Sequence, residues 1–282
     1  MNNPSMIEKQ KLGFVFTNYN NAKFTKDAID SIQAFNNGLF RIVVVDNDSD
    51  HEDIEELKVI NDKYENVDVI FSKENIGYFR GLNLGINYLR NNYLDINCVV
   101  AGNNDVLFPK DFYETIQINK NILSKYPVIS PNIITADGFH QNPHVIKKIS
   151  KIREFVYDVY HFNYLFARII IKLAALTKSF TGRNDEAQHE VAQEIYQGYG
   201  ACYILTPKFF ELFKELWTPT FLMYEEFFLS KQLSDKGYKI FYEPSIKLTH
   251  LMHATTDKLP GKLKWKFSKE AHKEYRKYIK GI

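Results

Sequence analysis

Cysteine is scarce: Cys98 and Cys202 are the only two in 282 residues. Two are too few for a disulfide framework, and their separation is not that of a metal-ligating pair. A reduced, cytosolic compartment is the expectation. Long apolar runs are also missing. The most apolar stretch, Phe162 to Leu176, carries Arg168 and Lys172, whereas a bilayer span needs about twenty mostly uncharged residues. Met1 to Lys11 is polar and lacks the apolar core of a secretory signal. There is no internal repeat and no low-complexity linker. Neither sign of charge dominates, with 36 Lys and Arg against 34 Asp and Glu. At 45% apolar and 25% charged, the composition excludes disorder and collagen-like repeats and is that of a globular chain.

What is abundant is aromatic: 22 Phe, 18 Tyr and 2 Trp. They need a core, a sugar-stacking surface or a membrane interface. The first half alternates strand and helix patterns. Leu12 to Thr17 is an apolar run closed by Asn18-Tyr19-Asn20-Asn21, and a helical pattern through Ala28, Ile29, Ile32 and Phe35 ends at Asn37-Gly38. Phe40 to Val45 is a β-branched run stopped by Asp46-Asn47-Asp48-Ser49. A charged helix (52–64), a strand (67–71), a helix near 78–91 and a strand (96–101) follow. Near-continuous apolar strands alternating with helices imply an α/β fold with a parallel sheet covered on both faces.

Ligands of such sheets bind beyond the carboxyl ends of the strands. Those ends are Thr17 to Asn20, Asp46 to Asp50, Ser72 to Asn75 and Asn103 to Asp105. Each cluster alone is also what ends a strand and begins a turn. Together on one rim they suggest a polar crevice. Residues 137–197 then break the rhythm with a long helical stretch. After it come a glycine-rich strand start (198–205), a helix from Pro207, a turn at Thr218-Pro219, a helix near 226–236, and short strands at 239–242 and 245–248.

The most specific segment is Asn75-Ile-Gly77-Tyr-Phe-Arg-Gly81-Leu-Asn83-Leu-Gly85. Glycines at four-residue intervals opening a helix let a backbone approach a ligand or a strand closely. The spacing is not the dinucleotide fingerprint. With Val45-Asp46-Asn-Asp-Ser49 before it and Gly102-Asn-Asn-Asp-Val106 after it, the set resembles the family 2 glycosyltransferases, and within them the rhamnosyltransferase-like branch of bacterial surface polysaccharide synthesis. The likeness spans roughly 11–136 and 198–256.

That resemblance implies a GT-A type fold, Rossmann-like with a mostly parallel sheet. It divides the chain into a glycosyltransferase domain (1–256) and a basic amphipathic tail (257–282). Within the domain it gives a nucleotide-binding half (11–136), a helical insert (about 139–197) and an acceptor half (198–256). It further implies an inverting transfer of a sugar from a dTDP- or UDP-linked donor to a glycan acceptor, lipid-linked. By position, Thr17, Asn18, Tyr19, Asp46, Asn75, Gly77, Gly81, Asn83, Asn103 and Asn104 would hold the donor nucleotide, with Asp46 on the pyrimidine. Asp105 and His250 would hold Mg2+ or Mn2+, since a divalent cation with oxygen ligands neutralises a leaving diphosphate. Glu226, with Glu225 beside it, would be the general base. Two positions depart from the family's pattern: Asn103 replaces a carboxylate, and Glu226 stands where aspartate is usual. Those departures keep open a second reading, a catalytically impaired sugar-nucleotide or glycan-binding protein on the same fold. As isolated residues, Glu225 and Glu226 are also ordinary first-turn acids. Trp217 and Tyr224 are candidate stacking surfaces for a sugar.

The tail concentrates charge. From Lys258 to Ile282 nine Lys and Arg meet two Glu, a local +7 that leaves residues 1–257 at −5. Basic residues interleaved with Trp and Phe suit an anionic bilayer surface, and residues 145–176 are similar in character. The expectation is a cytoplasmic protein, peripheral on the inner face of the cell membrane, with a homodimer through the 145–197 segment open. No recognition motif for nucleic acid accompanies the basic end.

Overall fold

β-Branched and aromatic runs, each ended by Asn, Asp or Gly, set the frame. In the computed structural model, which describes residues 11–176, 184–251 and 261–279, the first half forms β1 (Lys11–Asn18), α1 (Ala22–Gln33), β2 (Phe40–Asp46), α2 (His51–Lys63), β3 (Val67–Phe71), α3 (Tyr78–Asn92) and β4 (Ile96–Asn103). Most of the polar N-terminus and the expected boundary at 256/257 lie outside the described residues. Local chemistry explains the helix starts. Asp50 accepts a hydrogen bond from the Asp53 amide at the start of α2, and Glu52 and Asp53 sit in its first turn with Lys63 in its last.

The second half adds β5 (Val106–Leu107), α4 (Phe112–Ile118), α5 (Lys120–Lys125), β6 (Val128–Thr135), α6 (Lys151–Phe162), α7 (Tyr164–Leu176), β7 (Gln193–Ile195), β8 (Cys202–Leu205), α8 (Pro207–Leu212), α9 (Glu225–Ser234), β9 (Ile240–His250) and α10 (Gly261–Arg276). The strands form one sheet in the order β3-β2-β1-β4-β8-β6-β9-β5, with β7 also on β9. The pairings β2–β3, β1–β2, β1–β4 and β6–β9 are parallel and long. β8, β5 and β7 join by short antiparallel ladders. This is a mixed α/β architecture whose central sheet is mostly parallel and flanked by helices.

Three expectations change. The glycine-rich strand starts at Cys202, because residues 198–201 turn irregularly before it. The strands read at 239–242 and 245–248 are one strand, β9. Its register against β6 jumps from Pro131↔Glu243 to Asn132↔Lys247. Pro244 falls in that irregularity, where its missing N–H costs the ladder nothing. The insert is not wholly helical either: β7 brings residues 193–195 back onto the sheet.

The period of two along each strand builds two cores. Leu12, Phe14, Phe16, Ile42, Val44 and Val100 face α1, α2 and α4. Val15, Val43, Val45, Val99 and Ala101 face α3, α8 and α9. Much of the aromatic content is spent here. Phe14 is a hub whose ring lies 5.2–6.4 Å from those of Phe16, Phe35, Phe40, Phe108 and Phe112. Gly85 lets α3 lie on the sheet, since a Cβ there would stand 2.5 Å from Val15 Cγ1. Both cysteines are free and buried, and burial pushes the Cys98 thiol up to about 12, so it is an inert core residue.

Candidate functional site

The parallel registers Asn18↔Asp46 and Thr17↔Asn103 align the carboxyl ends of β2, β1 and β4. At this rim the amide of Asn18 donates to Asp46 Oδ1 at 2.9 Å and to Ser49 Oγ at 3.1 Å. The Ser49 amide donates to Asp46 Oδ2 at 3.1 Å. Asn104 Nδ2 donates to Asn18 Oδ1 at 3.0 Å, and Thr25 Oγ1 donates to the same oxygen at 2.8 Å. Asn18, Asp46 and Asn104 are buried and linked by hydrogen bonds into one network at this rim. Asp46 is fully buried with both oxygens accepting from the protein, and it braces the 46–49 turn. Thr17 and Asn103 are half-buried, and Tyr19 is exposed.

The neighbouring amide was missed as a site residue. Asn47 Nδ2 donates to the Gly77 carbonyl at 3.2 Å, while its Oδ1 is buried with no hydrogen-bond partner among the described residues. A buried acceptor without a donor is the exception in folded proteins, and this one lies beside the 75–77 loop that leads into α3. Within that loop Asn75 Oδ1 accepts from the Gly77 amide at 3.0 Å. Gly77 has φ +87, and a Cβ there would sit 2.2 Å from the Phe221 carbonyl oxygen. Only glycine lets residue 221 cross so close to the start of α3.

Two further donor candidates are structural. A Cβ on Gly81 would be 2.6 Å from Thr17 Cγ2, so this glycine seats α3 against β1. Asn83 donates to the Leu216 carbonyl at 2.8 Å and accepts from the Leu216 amide at 2.9 Å. Buried and engaged at both ends, it ties α3 to the 216 segment away from the rim.

The antiparallel pairing Val106↔His250 brings Asp105 beside His250. His250 Nε2 lies 3.1 Å from Asp105 Oδ1, and Nδ1 lies 2.8 Å from Gln141 Oε1. Both residues are buried. The ring can share a proton with either neighbour, and with Nδ1–H donating to Gln141 its Nε2 would be free to join the carboxylate in holding a cation. No group of three or more His, Cys, Asp or Glu side chains placed to hold a metal occurs among the described residues. The pair supplies two donors, and a cation here would complete its shell from a diphosphate and water, as magnesium commonly does.

Glu225 and Glu226 open α9. Met223 (φ +75) and Tyr224 (φ +67) precede them in left-handed backbone. For non-glycine residues that conformation costs about 1–2 kcal/mol each, and such strain clusters at functional sites. Burial, and then the charge of Glu226, push the Glu225 carboxyl up to about 8. Glu226 packs on Gly200, where a Cβ would stand 2.7 Å from Glu226 Oε1. Tyr78, also unforeseen, donates to the Gly200 carbonyl at 2.7 Å. Burial holds its phenol well above the usual range, reinforced by Cys202, Glu225, Glu226 and Asp105.

The 199–201 segment therefore links the two acidic centres. The Asn103 amide donates to the Ala201 carbonyl at 2.8 Å, Gly200 touches Glu226, and the Tyr199 ring lies 6.0 Å from that of His250. The sequence carried a signal for this in Gly198-Tyr-Gly-Ala, but turn chemistry accounts for the same residues.

The tail helix is folded onto this region. His272 Nδ1 lies 2.9 Å from the Tyr224 hydroxyl and Nε2 lies 2.9 Å from Asp158 Oδ1. Tyr224 packs on Tyr275 at 4.8 Å, and Trp217 on Phe228 and Tyr278. Both rings are half-buried and each borders a cavity. Trp265 Nε1 donates to the Tyr160 carbonyl, so the aromatic side of α10 faces protein. That corrects the expectation of a tail helix presenting its aromatics to lipid.

The fold and the site define a sheet protein with a polar rim and two linked acidic centres. Residues 14–117 match the family described as Glycosyl transferase family 2. No curated protein matches the chain. Among solved structures, residues 1–349 of S. aureus TarS share 13% identity over 86% of this chain and 60% of that one, with a TM-score of 0.46. The same protein in complex with UDP-GlcNAc shares 11% over 86% and 59%, with a TM-score of 0.53. The second likeness supports the fold. This chain spans about 60% of the length of those structures.

Proposed function

We propose that this protein is an inverting glycosyltransferase that moves a sugar from a dTDP- or UDP-linked donor to a lipid-linked glycan acceptor in cell-surface polysaccharide synthesis. The observation that carries the reading is the juncture at Gly200, where the adjacent Glu225–Glu226 pair meets the segment leading to Asp105 and His250. The family match over 14–117 supports it.

Asp105 and His250 would hold Mg2+ or Mn2+, which when bound neutralises charge on the leaving diphosphate. Thr17, Asn47, Asn75 and Asn103 line the donor side, while Asn18, Asp46 and Asn104 keep the three strand ends in register. Burial and the neighbouring charge favour the protonated form of Glu225, and in this reading Glu226 is the carboxylate that takes the acceptor hydroxyl's proton. The acceptor oxygen bonds to the anomeric carbon as the bond to the diphosphate oxygen breaks. One displacement inverts the centre, and the nucleoside diphosphate leaves with the electron pair. Tyr78 positions Gly200 and so limits where Glu226 can sit.

The test is a thermal-shift screen of UDP, dTDP and their sugars, with and without manganese. A ligand that binds only the folded state raises the melting temperature. Because a fold-mate was solved with UDP-GlcNAc, that compound goes first. A manganese-dependent shift, with transfer lost in Glu226→Gln, supports the reading. A shift without transfer or donor hydrolysis turns it into a sugar-nucleotide-binding protein, and no shift with any nucleotide overturns it.

A further inference from the structure

Helices α6 and α7 are built inside out. On α6 the ionisable residues Glu154, Asp158 and His161 recur at four- and three-residue spacing and face α10. Tyr275 donates its hydroxyl to Glu154. Asp158 pairs with His272 at 2.9 Å and with Arg276 Nε at 3.2 Å. His161 Nε2 lies 2.9 Å from Ser268 Oγ, and burial, followed by the charge of His272, lowers the His161 imidazole to about 4. The opposite stripe points outward. Phe155 is 60% exposed and Phe162 73%. On α7, Leu165, Ile169, Leu173 and Leu176 are exposed between 45% and 81%. A helix on the surface of a globular protein shows water the reverse arrangement. A contiguous exposed apolar patch marks a surface that meets something apolar.

The charge around it says what. Lys148, Lys151, Arg168 and Lys172 are exposed around this stripe. The acids of the two helices, Glu154 and Asp158, are turned inward onto α10. An apolar stripe with an outward charge of one sign, positive, complements an anionic bilayer surface. Length decides the geometry. The 13 residues of α7 reach about 20 Å at 1.5 Å per residue, short of a hydrocarbon core of about 30 Å. No helix among the described residues is long and apolar enough to cross, so the pair would lie in the interface plane.

We propose that the α6–α7 hairpin seats this protein on anionic membrane, with its apolar face among the acyl chains and its Lys and Arg at the phosphates. A cavity of about 460 Å³ lies behind the hairpin, walled by Val156, Ile170 and Ala174 on one side and by Met223, Glu226 and Phe227 on the other. Resting on the transferase reading, this places a membrane-anchored acceptor beside Glu226 without its leaving the bilayer.

The experiment is co-sedimentation of the full chain with vesicles of phosphatidylcholine alone or with one-third phosphatidylglycerol. Wild type is expected to pellet with the anionic vesicles. The triple variant Phe155→Glu, Leu165→Glu, Leu173→Glu changes only exposed side chains and is expected to bind at least tenfold less. Arg168→Glu with Lys172→Glu is expected to lose several-fold, and Leu94→Glu, exposed elsewhere, to bind as wild type. Melting curves of all variants confirm folding. Wild type remaining in the supernatant, or the triple variant pelleting like wild type, overturns the proposal. So does self-association on gel filtration that the triple variant abolishes, without vesicle binding, which assigns the face to a second copy. The nucleotide shift is read on the same samples. Vesicle binding without it tells against the transferase reading alone, and the shift without vesicle binding tells against the hairpin alone.

Discussion

His250 and Asp105, 145 residues apart in the chain, are both buried and meet with Nε2 and Oδ1 at 3.1 Å. The contact exists because two residues of β5 pair with the end of β9. If the pair holds a cation, Asp105→Asn and His250→Ala each reduce the manganese-dependent part of the donor-induced thermal shift. Since loss of an outer-shell partner alone costs on the order of ten- to a hundredfold in metal affinity, loss of either ligand is expected to cost at least that. A titration of manganese at fixed nucleotide reads this directly, and an unchanged midpoint in both variants refutes it.

Gly200→Ala tests the acceptor side. The added methyl would stand 2.7 Å from Glu226 Oε1, and the flexible tip of the side chain can yield. The fold should survive with a melting temperature within a few degrees of wild type, while transfer falls at least tenfold because the carboxylate is displaced. Equal turnover in the variant would remove Glu226 from the reaction.

At Gly77 the obstacle is backbone. The left-handed φ disfavours any side chain by about 1–2 kcal/mol, and the Phe221 carbonyl oxygen at 2.2 Å leaves a methyl no room. Gly77→Ala should therefore destabilise by more than the strain alone, about 2 kcal/mol or above, in urea unfolding. A smaller loss would mean that the 221 segment moves aside freely.

The Glu225 carboxyl, ordinarily near 4.5, is raised to about 8. Between those values the folded protein keeps a proton that the unfolded chain has released. Stability attributable to this group therefore falls as pH rises through that window. Glu225→Gln removes the slope, so its melting temperature should gain on wild type by a few degrees between pH 5 and pH 8.5. A constant difference across that range would contradict the burial of the pair.

The first four strands and three helices were legible because each has an uninterrupted apolar period and a polar stop. What escaped was the antiparallel part. β5 has two residues and β7 three, too short for any period, and their places are set by pairing with β9. Pro244 split β9 into two in the sequence because a proline ordinarily ends a strand. For the site, residue type was readable and orientation was not. Asp46, Asn18 and Asn83 have the polar chemistry of ligand-binding residues, yet their partners are Ser49, Asn104 and Leu216. Tyr78 and Asn47 carry no distinguishing pattern, and only the tertiary fold puts one against Gly200 and the other against Gly77. In the tail, charge was legible while the packing of its aromatics on α6 and α9 depended on distant residues.

The place of β8 in the sheet reaches beyond the site. It covers the outer edge of β4, pairing Val99 to Gly102 with Leu205 to Cys202. The chain makes β4 about a hundred residues before β8. Until then the nascent sheet carries a buried-type apolar strand with its hydrogen-bonding edge open, the template for misassembly. The segment 14–117 is thus a recognisable unit of sequence whose sheet edge is closed only by residues far downstream, and pairings of that separation slow folding in general.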